Sequence, residues 1–465
     1  MEKAKGYYLF SYNNEYYLYD FQGGVIVQTN NFLYAILEKH YHNQKLSSRE
    51  QRLVDEFLRC NLLQYINDEP DPDPLQNEVA YLSFAPTYKC NFRCTYCFGN
   101  HGEKYTGFPR EFTDDSLLRM LDYFFNHAFP YAKRYRIDFV SGGEPLLGEA
   151  IIKQTINYVE DNISSCGKSV SIWLCTNASL LTEEIIEWLS MHNVAIGVSI
   201  DGRKQHNDAY RTDADGNGTY DRICSGIALV KNSKKASKKF RNMWGLCTAT
   251  NENCDFIDIL EHMKSLGFQH VQIRLIRSEK EYNVDRILSE YTRLADTLVI
   301  MFSNNDLSYF RMIINENDQF GKVLKRIMLN HILIRRCNAA VNKITICPDG
   351  TIYPCDSLVG MQKFLLGNLN HSMSLKYTYR DVTVDSINTC RACEIKYLCG
   401  GDCYYNSYMK TGSQFEPDPE FCRIQKHLIQ LAIMLRYKIE KIDIRLYNTI
   451  LAEVKRKHDY SEIYG

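Results

Sequence analysis

No charge of either sign dominates this chain of 465 residues: Lys and Arg total 55 against 56 acidic residues. That balance argues against a nucleic-acid-binding protein, which is basic overall or along one face. No run of 18 apolar residues is present, so no membrane span is expected. Nor does an apolar core follow the first residues. Met1-Glu2-Lys3-Ala4-Lys5 leads straight into a strand-like run, so no secretory signal is expected and the compartment is expected to be cytoplasmic. Internal repeats and low-complexity tracts are lacking. The basic run from Lys231 to Lys239 has no aromatic residue among its lysines, which fits a solvated helix end. What the chain has in excess is cysteine, 17 residues. Cys60, Cys166, Cys175, Cys224 and Cys247 are scattered and read as ordinary core thiols. The rest cluster, and clustered thiols in a reducing compartment point to metal.

The first cluster is Cys90-Asn91-Phe92-Arg93-Cys94-Thr95-Tyr96-Cys97, spaced C-x3-C-x2-C. Three cysteines on one loop can hold three irons of a cubane cluster and leave the fourth iron open to a small molecule. Zinc loops usually pair two C-x2-4-C units, or one with two histidines, and this loop has neither partner. Downstream stands the turn Gly142-Gly143-Glu144-Pro145. Near the C-terminus come Cys337 and Cys355, then Cys390-x2-Cys393-x5-Cys399-x3-Cys403, then Cys422. Taken alone, that second group suits iron–sulfur clusters or zinc.

The length suggests two to four domains, and 45% apolar residues suffice for substantial cores. Tyr7–Phe10, Tyr16–Tyr19 and Val25–Gln28 read as short strands, followed by helical periodicity over Asn31–His40 and Ser48–Cys60. Residues 1–66 therefore read as a small separate module. Alternating prolines at Pro70, Pro72 and Pro74 mark residues 67–77 as an extended linker. Strand–helix repeats follow. Strands are expected at Val79–Phe84, Arg136–Val140, Val170–Cys175, Ala195–Ile200, Asn242–Ala249 and His270–Leu275, with amphipathic helices between them. In such a barrel the chemistry sits at the C-terminal strand ends, where the cysteine loop and the Gly-Gly-Glu-Pro turn both fall. Residues 291–336 read as bridging helices and 426–465 as C-terminal helices.

The C-x3-C-x-aromatic-C loop and the Gly-Gly-Glu-Pro turn together resemble the radical S-adenosylmethionine (SAM) enzymes, over residues 78 to about 425. The later cysteines resemble the seven-cysteine SPASM extension of peptide-modifying members. The resemblance implies an α/β fold: a partial (β/α)6 TIM-like barrel over 78–290, a SPASM iron–sulfur domain over 337–425, and a winged-helix-like peptide-recognition domain over 1–66. A cap that only shields the barrel is the alternative for the last. It implies SAM and three 4Fe–4S clusters, one held by Cys90, Cys94 and Cys97. Of the two auxiliary clusters, Cys390, Cys393, Cys399 and Cys422 would hold one. Cys337, Cys355 and Cys403 would hold the other, with either Cys347 as fourth ligand or one iron open to a substrate thiolate.

For SAM itself the resemblance points to Gly142, Gly143 and Glu144 at its ammonium group. Asn177 stands in Thr176-Asn177-Ala178, where the family often has Thr-Asn-Gly. Ser199 and Arg211 match a Ser-x-Asp-Gly…His-Asp-x-x-Arg segment that reaches ribose or carboxylate, and Leu275 would flank the adenine. Asp356 stands where anaerobic sulfatase-maturing enzymes carry a catalytic base; a turn-capping carboxylate is the alternative. The implied reaction is hydrogen abstraction by a 5′-deoxyadenosyl radical from a ribosomal precursor peptide with a leader and a Cys-rich core. Thioether crosslinks form, as in sactipeptide and ranthipeptide maturases, with a flavodoxin- or ferredoxin-type electron donor. Formylglycine formation on a sulfatase and carbon–carbon crosslinking are the competing reactions, and a non-enzymatic redox sensor is the competing class. Neither nucleic acid nor membrane is expected as a partner.

Overall fold

The computed structural model describes residues 5–66, 78–99, 104–140, 142–276, 283–315, 317–369 and 379–464. The expected linker 67–77 lies outside the described residues. The N-terminal residues form an antiparallel sheet, β1 (Tyr7–Tyr12), β2 (Glu15–Asp20) and β3 (Ile26–Thr29), in that order. Asn13 and Asn14 turn β1 into β2 with φ of 49° and 62°, the left-handed pair a two-residue hairpin demands and asparagine tolerates. Two helices follow, Asn31–Tyr41 and Ser48–Arg59, the second opened by a capping box between Ser47 and Glu50.

This unit is less separate than the sequence suggested. One face of its sheet, with Tyr7, Leu9 and Leu18, packs on its own helices. The other, with Tyr8, Phe10, Tyr17 and Tyr19, belongs to the main core of the chain. The period-2 alternation of aromatic residues on both faces makes the sheet a sandwiched layer. Arg436, on the C-terminal helix Pro419–Ile442, fixes the join. Its guanidinium donates to the carbonyls of Gly24 (2.8 Å) and Ile327 (2.6 Å), to Asn330 Oδ1 (2.5 Å) and to Glu440 (2.8 Å). Arg436→Met removes that donor and leaves Ile327 and Asn330 with only the longer bonds from Tyr19. It should cost about 3 kcal/mol of unfolding free energy, read as a shift in the denaturant midpoint.

The second sheet has nine strands. Six are the expected barrel strands: β4 (Val79–Phe84), β5 (Arg134–Phe139), β6 (Ser169–Thr176), β7 (Ala195–Ser199), β8 (Trp244–Ala249) and β9 (His270–Leu275). They pair in parallel in that order. Helices pack on one face, where Leu82, Ile137, Leu174, Val198 and Val271 are fully buried. The alternate positions line a concave inner face, among them Asp138, Trp173, Cys175, Trp244 and His270. Trp173 donates to Cys175 Sγ (2.8 Å) and meets Trp244 edge-on, and Trp244 stacks on His270.

The remaining three strands were not anticipated. β10 (Lys343–Ile346) pairs in parallel with β4 through Lys343↔Tyr81 and Thr345↔Ser83. Then β11 (Thr351–Tyr353) and β12 (Gly367–Asn368) extend the sheet antiparallel. The strip expected as a separate C-terminal domain thus continues the barrel sheet at the β4 edge. The helix Pro419–Ile442 runs through the expected boundary at 425/426 and carries Cys422 in its first turn. Among the described residues no helix is long and apolar enough to cross a membrane.

Candidate active site

The cysteine loop leaves β4 and is held from three sides. Arg93 N–H donates to the Thr212 carbonyl (2.6 Å) and Thr95 N–H to that of Tyr210 (2.8 Å), which ties the loop to the segment after β7. Asn91 bonds Ser179 and accepts from Asn177 (both 2.9 Å), which ties it to the end of β6. Glu144 N–H donates to the Lys89 carbonyl (2.8 Å), which seats the Gly-Gly-Glu-Pro turn against the loop's first residue. Gly143 is glycine for a steric reason: a Cβ there would lie 1.9 Å from the Lys89 carbonyl oxygen. The three thiols lie close enough to sense one another. Burial raises Cys90 to about 11, the Phe92 N–H on its sulfur works the other way, and the charges of Glu144, Cys94 and Cys97 add to the rise. Such thiols become thiolates by binding metal.

Glu144 is 2% exposed. Its carboxylate accepts from Thr176 Oγ1 (2.6 Å), Asn177 N–H (2.8 Å) and Leu146 N–H (3.3 Å). Burial still raises it to about 7. The side chain is therefore a clamp between the turn and the end of β6. Ala178 adopts φ 62°, so the departure from Thr-Asn-Gly falls on a left-handed residue. The backbone takes that conformation without glycine, and Asn177 keeps its bonds to Asn91 and Ser179.

Ser199 ends β7 on the inner face with Ala195 and Gly197. Leu275 shares the side of β9 that carries the buried Val271 and Ile273 and packs against the main core. Arg211 lies 8% exposed, on Asp201, with Nε to Oδ2 at 2.8 Å and Nη2 to Oδ1 at 3.2 Å.

The later cysteines sort into two groups. Cys390 and Cys422 are both raised to about 12, by burial first and then by the other thiols of their group, Cys399 and Cys393. Cys355 is raised to about 12 by burial and Asp356; Cys403 and Cys337 add to that, against Lys343. Among the described residues no three Cys, His, Asp or Glu side chains converge on one point as ligands of a single ion. A four-iron core instead sits between its thiols and needs them spread around it. Cys347 joins neither group. It is 1% exposed in an apolar cluster with Tyr88, Tyr105 and Tyr353, where burial raises its thiol to about 12.

Asp356 is the first residue of a 3₁₀ turn, Asp356–Leu358, directly after Cys355. Lys343 Nζ lies 3.5 Å from its Oδ1. Burial alone would lower that ammonium, but Asp356, then Asp138, Cys355 and Cys337, hold it above the usual lysine range. Lys104, which donates to the Ser357 carbonyl (2.8 Å), approaches from the opposite side. Burial lowers it, against the charges of Asp356, Cys355 and Cys97. A carboxylate flanked by two lysines thus stands between the β4 loop and the group of Cys355. Neither lysine was singled out from sequence. Asp138 was legible from strand alternation alone, whereas Lys343 becomes visible only once β10 pairs with β4.

Residues 84–263 match the family model of the Radical SAM superfamily. The chain is 24% identical over 369 residues to the cysteine-type anaerobic sulfatase-maturating enzyme of Clostridium perfringens (strain 13 / Type A), covering 74% of this chain and 93% of that one. It is 23% identical over 390 residues to the radical SAM cyclopropyl synthase TigE of Paramaledivibacter caminithermalis, 79% and 76% of the two chains. Among solved structures, native anSMEcpe with bound AdoMet superposes with a TM-score of 0.62 at 22% identity, covering 80% of this chain and 100% of that one. Streptococcus suis SuiB bound to S-adenosylmethionine superposes with a TM-score of 0.50 at 14% identity, covering 90% and 99%. Residues 84–263 thus form a radical SAM domain, and the chain is similar to sulfatase-maturating enzymes and to a radical SAM cyclopropyl synthase.

Proposed function

We propose that this radical SAM enzyme forms thioether crosslinks in a ribosomally made, Cys-rich precursor peptide. The observation that carries the reading is the placement of Cys347. With its thiol buried among Tyr88, Tyr105 and Tyr353, the group of Cys337, Cys355 and Cys403 offers three thiols to a four-iron core. The fourth position would take a cysteine of the substrate, since soft sulfur suits such a site. A peptide substrate agrees with the relative solved as native anSMEcpe with bound AdoMet and Cp18Cys peptide. Cys90, Cys94 and Cys97 would hold the cluster that, with SAM bound, would supply the radical chemistry of hydrogen-atom removal.

The chain's own residues do the rest. Gly142, Gly143, Glu144, Asn177 and Ser199 shape the SAM site. Asp356 takes the proton of the substrate group, and Lys343 keeps it ionised and aimed. Cys390, Cys393, Cys399 and Cys422 hold the remaining cluster, the route for electrons from a flavodoxin- or ferredoxin-type donor. The first sheet adds the leader peptide at β3, whose outer edge has no strand partner among the described residues; β1 is closed by the Lys5–Tyr65 bridge. The Asp356–Lys343 pair also favours a second reading, formylglycine formation on a sulfatase, for which a base is equally needed.

Asp356→Asn should lower crosslinked product about a hundredfold or more while SAM cleavage without coupling persists. Lys343→Met should do the same in part, with Lys343→Arg closer to the unmodified enzyme. Anaerobic incubation of reconstituted enzyme with SAM, dithionite and candidate precursor peptides tests the function itself. Joining a C–H carbon to an S–H sulfur removes two hydrogens, so a loss of about two mass units with loss of an alkylatable thiol is expected. The same mass loss with every thiol still alkylatable means carbon–carbon coupling. Thiol loss on a sulfatase peptide alone hands the protein to the second reading.

A further inference from the structure

Tyr96 stands between Cys94 and Cys97, and its side chain is engaged in a buried network. Its hydroxyl donates to Asp201 Oδ2. Asp201, 1% exposed, is gripped from its other side by Arg211, whose guanidinium also lies 5.4 Å over the Tyr96 ring. The same carboxylate accepts from Thr248 N–H (2.9 Å), while Asn253 Nδ2 holds the Asp201 carbonyl (2.7 Å) and Asn207 Oδ1 accepts from its N–H (3.3 Å). Three elements are thus fastened together: the cysteine loop, the turn after β7 and the end of β8. An ion pair this buried is a poor source of stability, since desolvation consumes most of its attraction.

The orientation of the pair suggests what it does. The Arg211 guanidinium faces the Tyr96 ring of the cysteine loop, while Asp201 Oδ1 accepts from Thr248 N–H on β8. The pair is a fixed dipole with its cation toward the cysteine loop and its anion toward the barrel wall. Two of the guanidinium nitrogens are committed to Asp201, so the group is anchored and cannot swing out to solvent.

We propose that Tyr96, Asp201 and Arg211 form a positioning triad that holds the cysteine loop and places a permanent positive charge beside the iron bound by Cys94. This rests on the reading of Cys90, Cys94 and Cys97 as cluster ligands, and it gives Arg211 a part other than direct contact with SAM. Reduction of the cluster by one electron, drawn from a reductant such as dithionite, adds negative charge to a site that already holds three thiolates. Net charge and hydrogen bonding around a cluster set its potential, and a cation in a poorly screened interior acts strongly. Asp201 orients the cation; Tyr96 keeps the loop at a fixed distance from it.

The test is a dithionite titration of the reconstituted full chain followed by EPR, taking the signal that changes on adding SAM as the one from this site. Arg211→Met should lower the ratio of reduced to oxidised cluster about tenfold at a fixed potential, which for one electron is about 59 mV more negative. Arg211→Lys, which keeps the charge, should stay within about threefold. Tyr96→Phe should leave the potential in place and speed the loss of iron to a chelator. Where Arg211→Met does not assemble, Arg211→Met with Asp201→Asn removes both charges and should shift in the same direction. An assembled variant without Arg211 that titrates at the unmodified potential overturns the proposal, and a change confined to SAM affinity makes Arg211 a SAM ligand instead. Iron retained with Arg211→Lys but lost from both Met variants reduces the triad to a folding element. Absence of any SAM-responsive signal in the unmodified chain overturns the ligand assignment beneath it, a result distinct from all of these.

Discussion

Replacing Cys94 by Ala should abolish reductive cleavage of SAM while iron remains at the two C-terminal cysteine groups. The loop offers three thiols, one per iron: Cys90 senses the charges of Glu144, Cys94 and Cys97, and Cys94 those of Arg211, Asp201 and Cys97. Two thiols do not retain a cubane whose third and fourth irons are both unprotected. The C-terminal groups are built from other segments, with Cys355 after β11 and Cys422 on the helix Pro419–Ile442, so they should fill independently. Iron content should fall by about four per chain, one cluster's worth. Production of 5′-deoxyadenosine by the variant at the unmodified rate would show that the reaction site lies elsewhere.

Gly143→Ala should be nearly as damaging, although it removes no functional group. The added methyl would meet the Lys89 backbone at 1.9 Å from O, 2.6 Å from C and 2.8 Å from N. Backbone cannot rotate aside as a flexible side chain can, so either the turn or the cysteine loop must move. Moving the turn breaks the 2.8 Å bond from Glu144 N–H to the Lys89 carbonyl and drags the Glu144 clamp away from Thr176 and Asn177. Displacing a catalytic constellation by about 1 Å costs on the order of a hundredfold in rate. SAM cleavage should fall by at least that much while far-UV circular dichroism stays unchanged, because the overlap is local. A variant that cleaves SAM within about threefold of the unmodified rate contradicts this account of the turn.

Strand alternation and cysteine spacing were enough to read the six parallel strands, and so to place the Cys90 loop and the Gly142 turn on one mouth. Both signals are local. A period of two, a turn residue or a C-x3-C-x2-C spacing is complete within a few residues and does not depend on what packs against it. The same locality explains why Asn13-Asn14 suits a hairpin turn. It also explains why residues 1–66 looked separate: their strands and helices are self-contained in sequence, while the aromatic face that joins them to the main core finds its partners hundreds of residues later. Gln430, which bonds the Tyr8 hydroxyl, and Arg436, which bonds the Gly24 carbonyl, carry no sign of those partners in the sequence.

What the sequence by itself determined, then, was which residues carry the chemistry, because thiols, glycines and carboxylates declare their type and spacing. Only the tertiary structure decided how they are shared out. It paired β10 with β4, which set Lys343 beside Asp356 at the edge of the barrel. It buried Cys347 among Tyr88, Tyr105 and Tyr353, and it spent Arg211 on Asp201. Each of these is a contact between segments far apart in the chain. Whether a side chain is a ligand, a clamp or a counter-charge depends on which neighbour reaches it, and that is fixed by packing rather than by the residue itself.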